Sequence, residues 1–185
     1  VGWLDAILGR SKPAKPNLDA LFALPSAAVT LQAATGLAPT GTGSVSFRAA
    51  EGGAFANLER DVKDLLGGRV EEFTDSYGYT WLLVRRAPDA VSDLVTELHA
   101  VNSSLEGAGF GPSLLCSLIS FADRDGRRLA IVYLYKRGTF YPFAPLSGRR
   151  RDNALELQAR GALEGELPLE EDLSRWFPVW GAPGL

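Results

Sequence analysis

Apolar positions along this chain switch between a helical period and a strand period in a definite order. Residues 2–9 place Trp3, Leu4, Ile7 and Leu8 on one helical face. Arg10, Lys12, Pro13, Lys15 and Pro16 follow, a basic, proline-punctuated stretch suited to an extended linker. Asn17 is positioned to cap a helix through Leu18, Leu21 and Phe22. Pro25 interrupts it and starts a second helix carrying Val29 and Leu31, with Gly36 as its stop. Pro39, Gly41 and Gly43 read as a loop.

From Gly43 the period becomes two. Val45 and Phe47 alternate with Ser44, Ser46 and Arg48, which predicts a short strand. Phe55, Leu58, Val62, Leu65 and Leu66 then follow helical spacing up to Gly67 and Gly68. Residues 70–74 and 79–86 predict two strands joined by the turn Asp75-Ser76-Tyr77-Gly78. Pro88 suits the first turn of a helix whose apolar face is Val91, Leu94, Val95, Leu98, Val101 and Leu105. After glycines at 107, 109 and 111, residues 114–121 and 129–136 form the best strand pair, linked by Asp123-Arg124-Asp125-Gly126. Both are apolar on both faces, as central strands covered on two sides are. Residues 139–143 add an edge strand, since Pro142 cannot donate to a ladder. Residues 152–160 fit helix or strand. Pro168, Leu169, Leu173, Trp176 and Phe177 predict a short terminal helix, with Glu170, Glu171 and Asp172 complementing its dipole.

This order predicts an α+β fold: an antiparallel sheet of about five strands with helices packed on it. The ordering resembles that of small chaperones of bacterial secretion systems, an analogy of fold alone. Residues 1–16 form an amphipathic tail and linker. Residues 17–185 form one domain, with a helical segment at 17–36, a sheet core at 43–145 and an acidic segment at 146–185.

Composition narrows the function classes. The chain is 46% hydrophobic and 22% charged, an ordinary globular mixture. Its net charge of −3 argues against wholesale nucleic-acid binding. Cys116 is the only cysteine, so no intramolecular disulfide or multi-cysteine zinc site can form. No stretch approaches the roughly 20 apolar residues of a membrane-spanning helix. Residues 3–8 are too short for a signal peptide and carry Asp5, so the expected location is the cytoplasm.

Candidate chemistry is sparse. Gly107, Gly109 and Gly111 follow a predicted helix and precede a strand, the reverse of a dinucleotide loop, so they read as a connector. His99, the only histidine, falls on the flank of its helix with no nucleophile locally beside it. Cys116 lies in a strong strand and reads as a buried structural thiol. Glu71 and Glu72 are adjacent on a strand and point to opposite faces. No catalytic set, metal site or cofactor motif emerges, although a carboxylate pair distant in sequence stays open. Charge is more informative. From Arg124 to Arg151 there are eight basic residues and one acid, densest at Arg149, Arg150 and Arg151. Such a run suits an acidic partner or simply a solvated loop. The stripe of Trp3, Leu4, Ile7 and Leu8 suits docking in a partner groove, weak contact with an anionic membrane, or packing on its own domain.

Three stretches carry a family resemblance. One is the tail from Gly2 to Arg10 together with the lysine–proline linker and residues 17–29. The others are Tyr135-Lys136-Arg137-Gly138-Thr139-Phe140-Tyr141-Pro142-Phe143 and Trp176-Phe177-Pro178-Val179-Trp180-Gly181. Together they resemble the PspA-associated protein PspAB family, over the whole chain. The resemblance implies a part in the phage-shock-type envelope stress response, as a partner of a PspA-like coiled-coil protein that protects the cytoplasmic membrane. It brings no catalytic residues. The leading expectation is a non-enzymatic adaptor, cytoplasmic or peripheral at the membrane, contacting its partner through residues 2–9 and Arg149 to Arg151. The alternatives are a small-molecule hydrolase whose site assembles only in three dimensions, and a chaperone for a protein client.

Overall fold

The computed structural model describes residues 16–185. The tail residues Trp3, Leu4, Ile7 and Leu8 lie outside the described residues. The strands are β1 (Ala38–Arg48), β2 (Val70–Thr74), β3 (Tyr79–Arg85), β4 (Leu114–Ala122), β5 (Arg128–Leu134) and β6 (Thr139–Phe143). They form one antiparallel sheet in the order β2-β3-β1-β4-β5-β6. A two-stranded ribbon, β7 (Pro145–Leu146) with β8 (Arg150–Arg151), stands apart from it. The fold is α+β, as the pattern predicts. The apolar strands β4 and β5 are interior strands of the sheet, and β6 with Pro142 is its edge.

A 3-10 helix (Leu18–Ala23) leads into α1 (Leu24–Thr35), followed by α2 (Gly53–Leu65), α3 (Val91–Gly107) and α4 (Asn153–Leu163). Their apolar stripes join one core with the inward residues Val45, Phe47, Leu82, Val84, Ile119, Phe121 and Ile131 of the sheet. Alternation along each strand puts these residues on a single face. Gly36 ends α1 in the left-handed conformation at φ 78, where a Cβ would be strained. Asp152 resolves the ambiguous segment as a helix, because its carboxylate accepts from the Leu155 N–H at 3.0 Å and caps α4.

Four expectations are corrected. First, β1 starts at Ala38, so Pro39, Gly41 and Gly43 belong to a strand and not to a loop. The glycines mark an irregularity in register and a close approach: a Cβ on Gly41 would sit 2.0 Å from the Arg86 carbonyl oxygen. Second, α3 begins at Val91, and Pro88 lies in the turn before it. Third, the terminal helix is only a 3-10 turn, Leu173–Arg175. Ahead of it, Pro168 and Glu170 bond the backbone of Phe140 at 2.9 and 2.7 Å and tie this stretch to the edge of β6. Glu170 serves an ion pair rather than a helix dipole. Its carboxylate is buried against Arg137 at 2.8 Å and the Thr139 hydroxyl at 2.7 Å. Fourth, residues Leu18–Thr35 are long and apolar enough to cross a membrane by length and composition alone. Leu18, Leu21, Leu24, Ala27, Ala28 and Leu31 of this segment are buried in the domain core, which accounts for part of the composition, while Phe22 and Val29 stay exposed.

Candidate functional site

The second face of the sheet is also apolar, but no helix covers it. Trp81, Cys116, Leu118, Ala130, Val132, Leu134, Tyr141 and Phe143 share this outer face. Residues 173–185 run across it as a strap with no regular structure beyond the turn at Leu173–Arg175. Trp176 and Ala182 are buried in this second core, with Val179, Trp180 and Leu185 packed partly against it. Single bonds hold the strap rather than a ladder. The Tyr141 hydroxyl donates to the Phe177 carbonyl at 2.7 Å, and Arg151 donates to the Trp176 carbonyl at 2.5 Å. The Trp176 indole donates to the Glu170 carbonyl at 2.9 Å, and Thr42 donates to the Gly184 carbonyl at 3.3 Å.

Between the strap and the β2–β3 hairpin opens a cleft of about 320 Å³. The hairpin contributes Asp75, Tyr77, Tyr79 and Trp81; β4 contributes Leu115 and Cys116; Leu134 and Tyr141 come from β5 and β6; residues 177–180 close the remaining side. Phe177 and Tyr77 are more than half exposed and form its rim. A mostly apolar concavity with one convergent carboxylate has the form of a binding site.

The turn that positions Asp75 is written in its sequence. Asp75 Oδ1 accepts from the Tyr77 and Tyr79 N–H groups, each at 2.9 Å, as aspartate at the start of a tight turn does. Its Oδ2 accepts from the Trp81 indole at 3.0 Å. Burial opposes the charge, but the Trp81 indole and the Tyr79 and Tyr77 amides outweigh it and hold the carboxyl below the usual range. Asp75 is therefore ionised at neutral pH. Burial, with Asp75 adding to it, pushes the Cys116 thiol up to about 12. Cys116 is thus an inert floor residue, in line with the structural reading of its strand.

The predicted site residues are dispersed. Arg149 and Arg150 are exposed, and Arg149 adopts a positive φ of 54 in the turn between β7 and β8. Arg151 turns inward. It pairs with the buried Glu156 at 2.8 Å and lies over the Phe143 ring, besides its bond to the strap. Gly107 to Gly111 form the connector expected of them, leading from α3 into the turn before β4. The sequence reading of His99 is corrected: Ser103, one turn along α3, lies 3.2 Å from Nδ1, and Asp19 lies 3.1 Å from Nε2. That chain of groups has the order of a hydrolytic triad. Its setting does not. Asp19 is 84% exposed, Phe22 lies against the imidazole with ring centroids 4.4 Å apart, and the amides around Ser103 lie inside a helix, where they cannot form an oxyanion hole. Among the described residues no group of three metal-ligating side chains is present.

The sequence reading misses the cleft, because its walls come from four separate parts of the chain. Two signals were available. Tyr77, Tyr79 and Trp81 alternate after a turn aspartate, and Trp176, Phe177 and Trp180 are crowded into a segment without helical period. The family model of PspA associated protein B matches residues 1–184. No curated protein and no solved structure matches the chain.

Proposed function

The chain belongs to the PspA associated protein B family, and from that premise we propose that it is a non-enzymatic adaptor that binds a PspA-like coiled-coil protein. The observation that carries this reading is the aromatic cleft on the strap-covered face, rimmed by the exposed Tyr77 and Phe177. Exposed aromatic side chains around a pocket are the usual anchors of protein recognition. Trp3, Leu4, Ile7 and Leu8 supply a second contact in this proposal, and Arg149 and Arg150 a basic one. Arg151 acts indirectly, by holding the strap. The site of action is the cytoplasm, at the membrane where the partner works.

A pull-down with the PspA-like protein tests the adaptor reading. The wild type retains the partner, and Tyr77→Ala/Phe177→Ala weakens capture at least about tenfold, the size of effect that interface anchors carry. Absence of capture by the folded wild type would sink the proposal.

The Asp19–His99–Ser103 contact favours a second reading, a hydrolase. No concave site adjoins it among the pockets described, and its helix interior denies it an oxyanion hole. Hydrolysis of an activated ester that disappears in Ser103→Ala would revive it.

A further inference from the structure

Resting on the docking reading, we infer that the cleft is a cation site, taking the guanidinium or ammonium end of a basic side chain carried on an apolar segment of a protein partner. Three observations converge on this occupant.

The first is the charge of Asp75. Its three hydrogen-bond donors, the Trp81 indole and the amides of Tyr77 and Tyr79, are all neutral. Among the described residues no lysine or arginine pairs with it, whereas Glu97, Asp123, Glu156 and Glu170 each hold an arginine. Oδ1 accepts two bonds and Oδ2 one, so Oδ2 keeps a free acceptor position on the wall of the cleft. A fixed negative charge without a counter-charge, in a mostly apolar setting, selects a cation.

The second is the rings. Aromatic faces attract cations through their quadrupole, and guanidinium groups most readily. The same outer face already uses this interaction at its perimeter. Arg48 lies 4.8 Å over Tyr79, Arg151 lies 5.0 Å over Phe143, and Arg160 lies 6.0 Å over Trp176. Among the described residues no cation is stacked on Tyr77, Trp81, Tyr141, Phe177 or Trp180, which surround the cleft.

The third is the rim. Tyr77, from the hairpin turn, is 69% exposed and Phe177, from the strap, 56% exposed, and both line the cleft. An occupant with a charged tip, an aliphatic stem and apolar neighbours matches floor, wall and rim together. Lysine and arginine side chains have that form. A divalent metal ion does not, since it needs several oxygen ligands and the cleft offers one carboxylate.

The test uses the full chain and three probes: a capped Leu-Arg-Leu peptide, its twin with neutral citrulline in place of arginine, and tetramethylammonium chloride. The readout is the NMR signal of the Trp81 indole N–H, the group bonded to Asp75. The arginine peptide is expected to shift this signal saturably, and about tenfold more tightly than the citrulline twin, the loss of one charge-assisted contact. Asp75→Asn should lower the arginine affinity by about tenfold as well. Asp75 also anchors its turn, so Tyr77→Ala serves as a second variant that leaves the fold intact, with an expected loss of about threefold to fivefold. Equal affinity for the two peptides, or unchanged affinity in both variants, would overturn the inference. Tetramethylammonium binding as tightly as the arginine peptide would overturn the protein source of the cation. Failure to capture a PspA-like protein, with peptide discrimination intact, would remove that partner and leave the cation site standing.

Discussion

The two faces of the sheet carry comparable apolar residues under very different covers. On the inner face, the 3-10 helix with α1, α3 and α4 buries Leu21, Leu31, Val95, Leu98, Val101 and Leu163 at or near zero exposure, and α2 adds Phe55 and Val62. On the outer face, an irregular strap presents Trp176, Val179, Trp180 and Ala182, one anchor at a time. Helices satisfy their own backbone groups, so they can cover a sheet completely. A strap with only isolated turn bonds of its own, such as Ala182 N–H to the Val179 carbonyl, needs other partners for its buried backbone groups, and three of its carbonyls, at Trp176, Phe177 and Gly184, take side-chain donors. It leaves an open cleft and exposed aromatic rims beside it. The inner face is closed by packed helices, and the proposed docking falls to the outer face, where the cover is irregular and a cleft stays open.

The comparison breaks most visibly in stability. Leu98 is fully buried on α3, and its side chain lies over the place where a Cβ on Gly43 would stand. Leu98→Ala should cost about 2–5 kcal/mol, the range for emptying a well-packed leucine site. Trp180→Ala removes a half-buried ring that meets Phe143 edge-on at 4.9 Å. Its cost should be smaller, about 1–2 kcal/mol. Urea midpoints measure both. A Trp180→Ala loss equal to that of Leu98→Ala would mean the strap is as integral as the helices.

Between the two faces sits Glu170, whose buried carboxylate fixes the stretch leading into the strap by binding Arg137 and Thr139. Burial works against its charge, but Arg137 and Thr139 prevail and hold it below the usual carboxylate range. A carboxyl depressed in the folded state contributes stability that is complete above its unfolded value, near about 4.3, and is lost as pH falls through the lower folded value. Glu170→Gln should therefore cost roughly 1.5–3 kcal/mol at pH 7. The gap between wild type and variant should shrink as pH drops below about 4. Urea midpoints taken from pH 7 to pH 2 check the sign; a gap that widens in acid contradicts it.

How far the chain could be read in advance follows the same division. β4 and β5 are legible because double-sided burial demands long apolar runs, and the hairpin at Asp75 is legible because turn chemistry is local. α4 is not, since its polar face dilutes the period and only the bond from Leu155 to Asp152 decides it. The strap is invisible because each anchor meets the sheet separately, without period. Arg151 looks like one of a basic run until Glu156 and the Trp176 carbonyl are brought to it by the fold. Asp19 reaches His99 across 80 residues, which no local pattern announces, whereas Ser103 lies at plain helical spacing from it. Cleft and strap thus belong to tertiary structure, while the inner core belongs largely to periodicity.

The smallest expected effect is the sharpest probe, because one substitution should change sign between the faces. On the inner face, Ser117 is buried and its hydroxyl accepts from the Asn102 amide at 2.8 Å. Ser117→Ala should destabilise by about 1 kcal/mol, the usual worth of such a bond. On the outer face, Ser46 stands opposite Trp81 and Cys116, fully buried, and its hydroxyl has no partner among the described residues. Ser44 and Ser120 share that condition. Burying an unpaired hydroxyl is unfavourable, so Ser46→Ala should be neutral to stabilising by about 0.5–1 kcal/mol. A stabilised Ser46→Ala beside a destabilised Ser117→Ala, in thermal or urea melts, marks the outer face as the one whose cover is incompletely matched. If Ser46→Ala instead loses as much as Ser117→Ala, that hydroxyl has a partner in solution, and the contrast between the faces narrows to their aromatic rims.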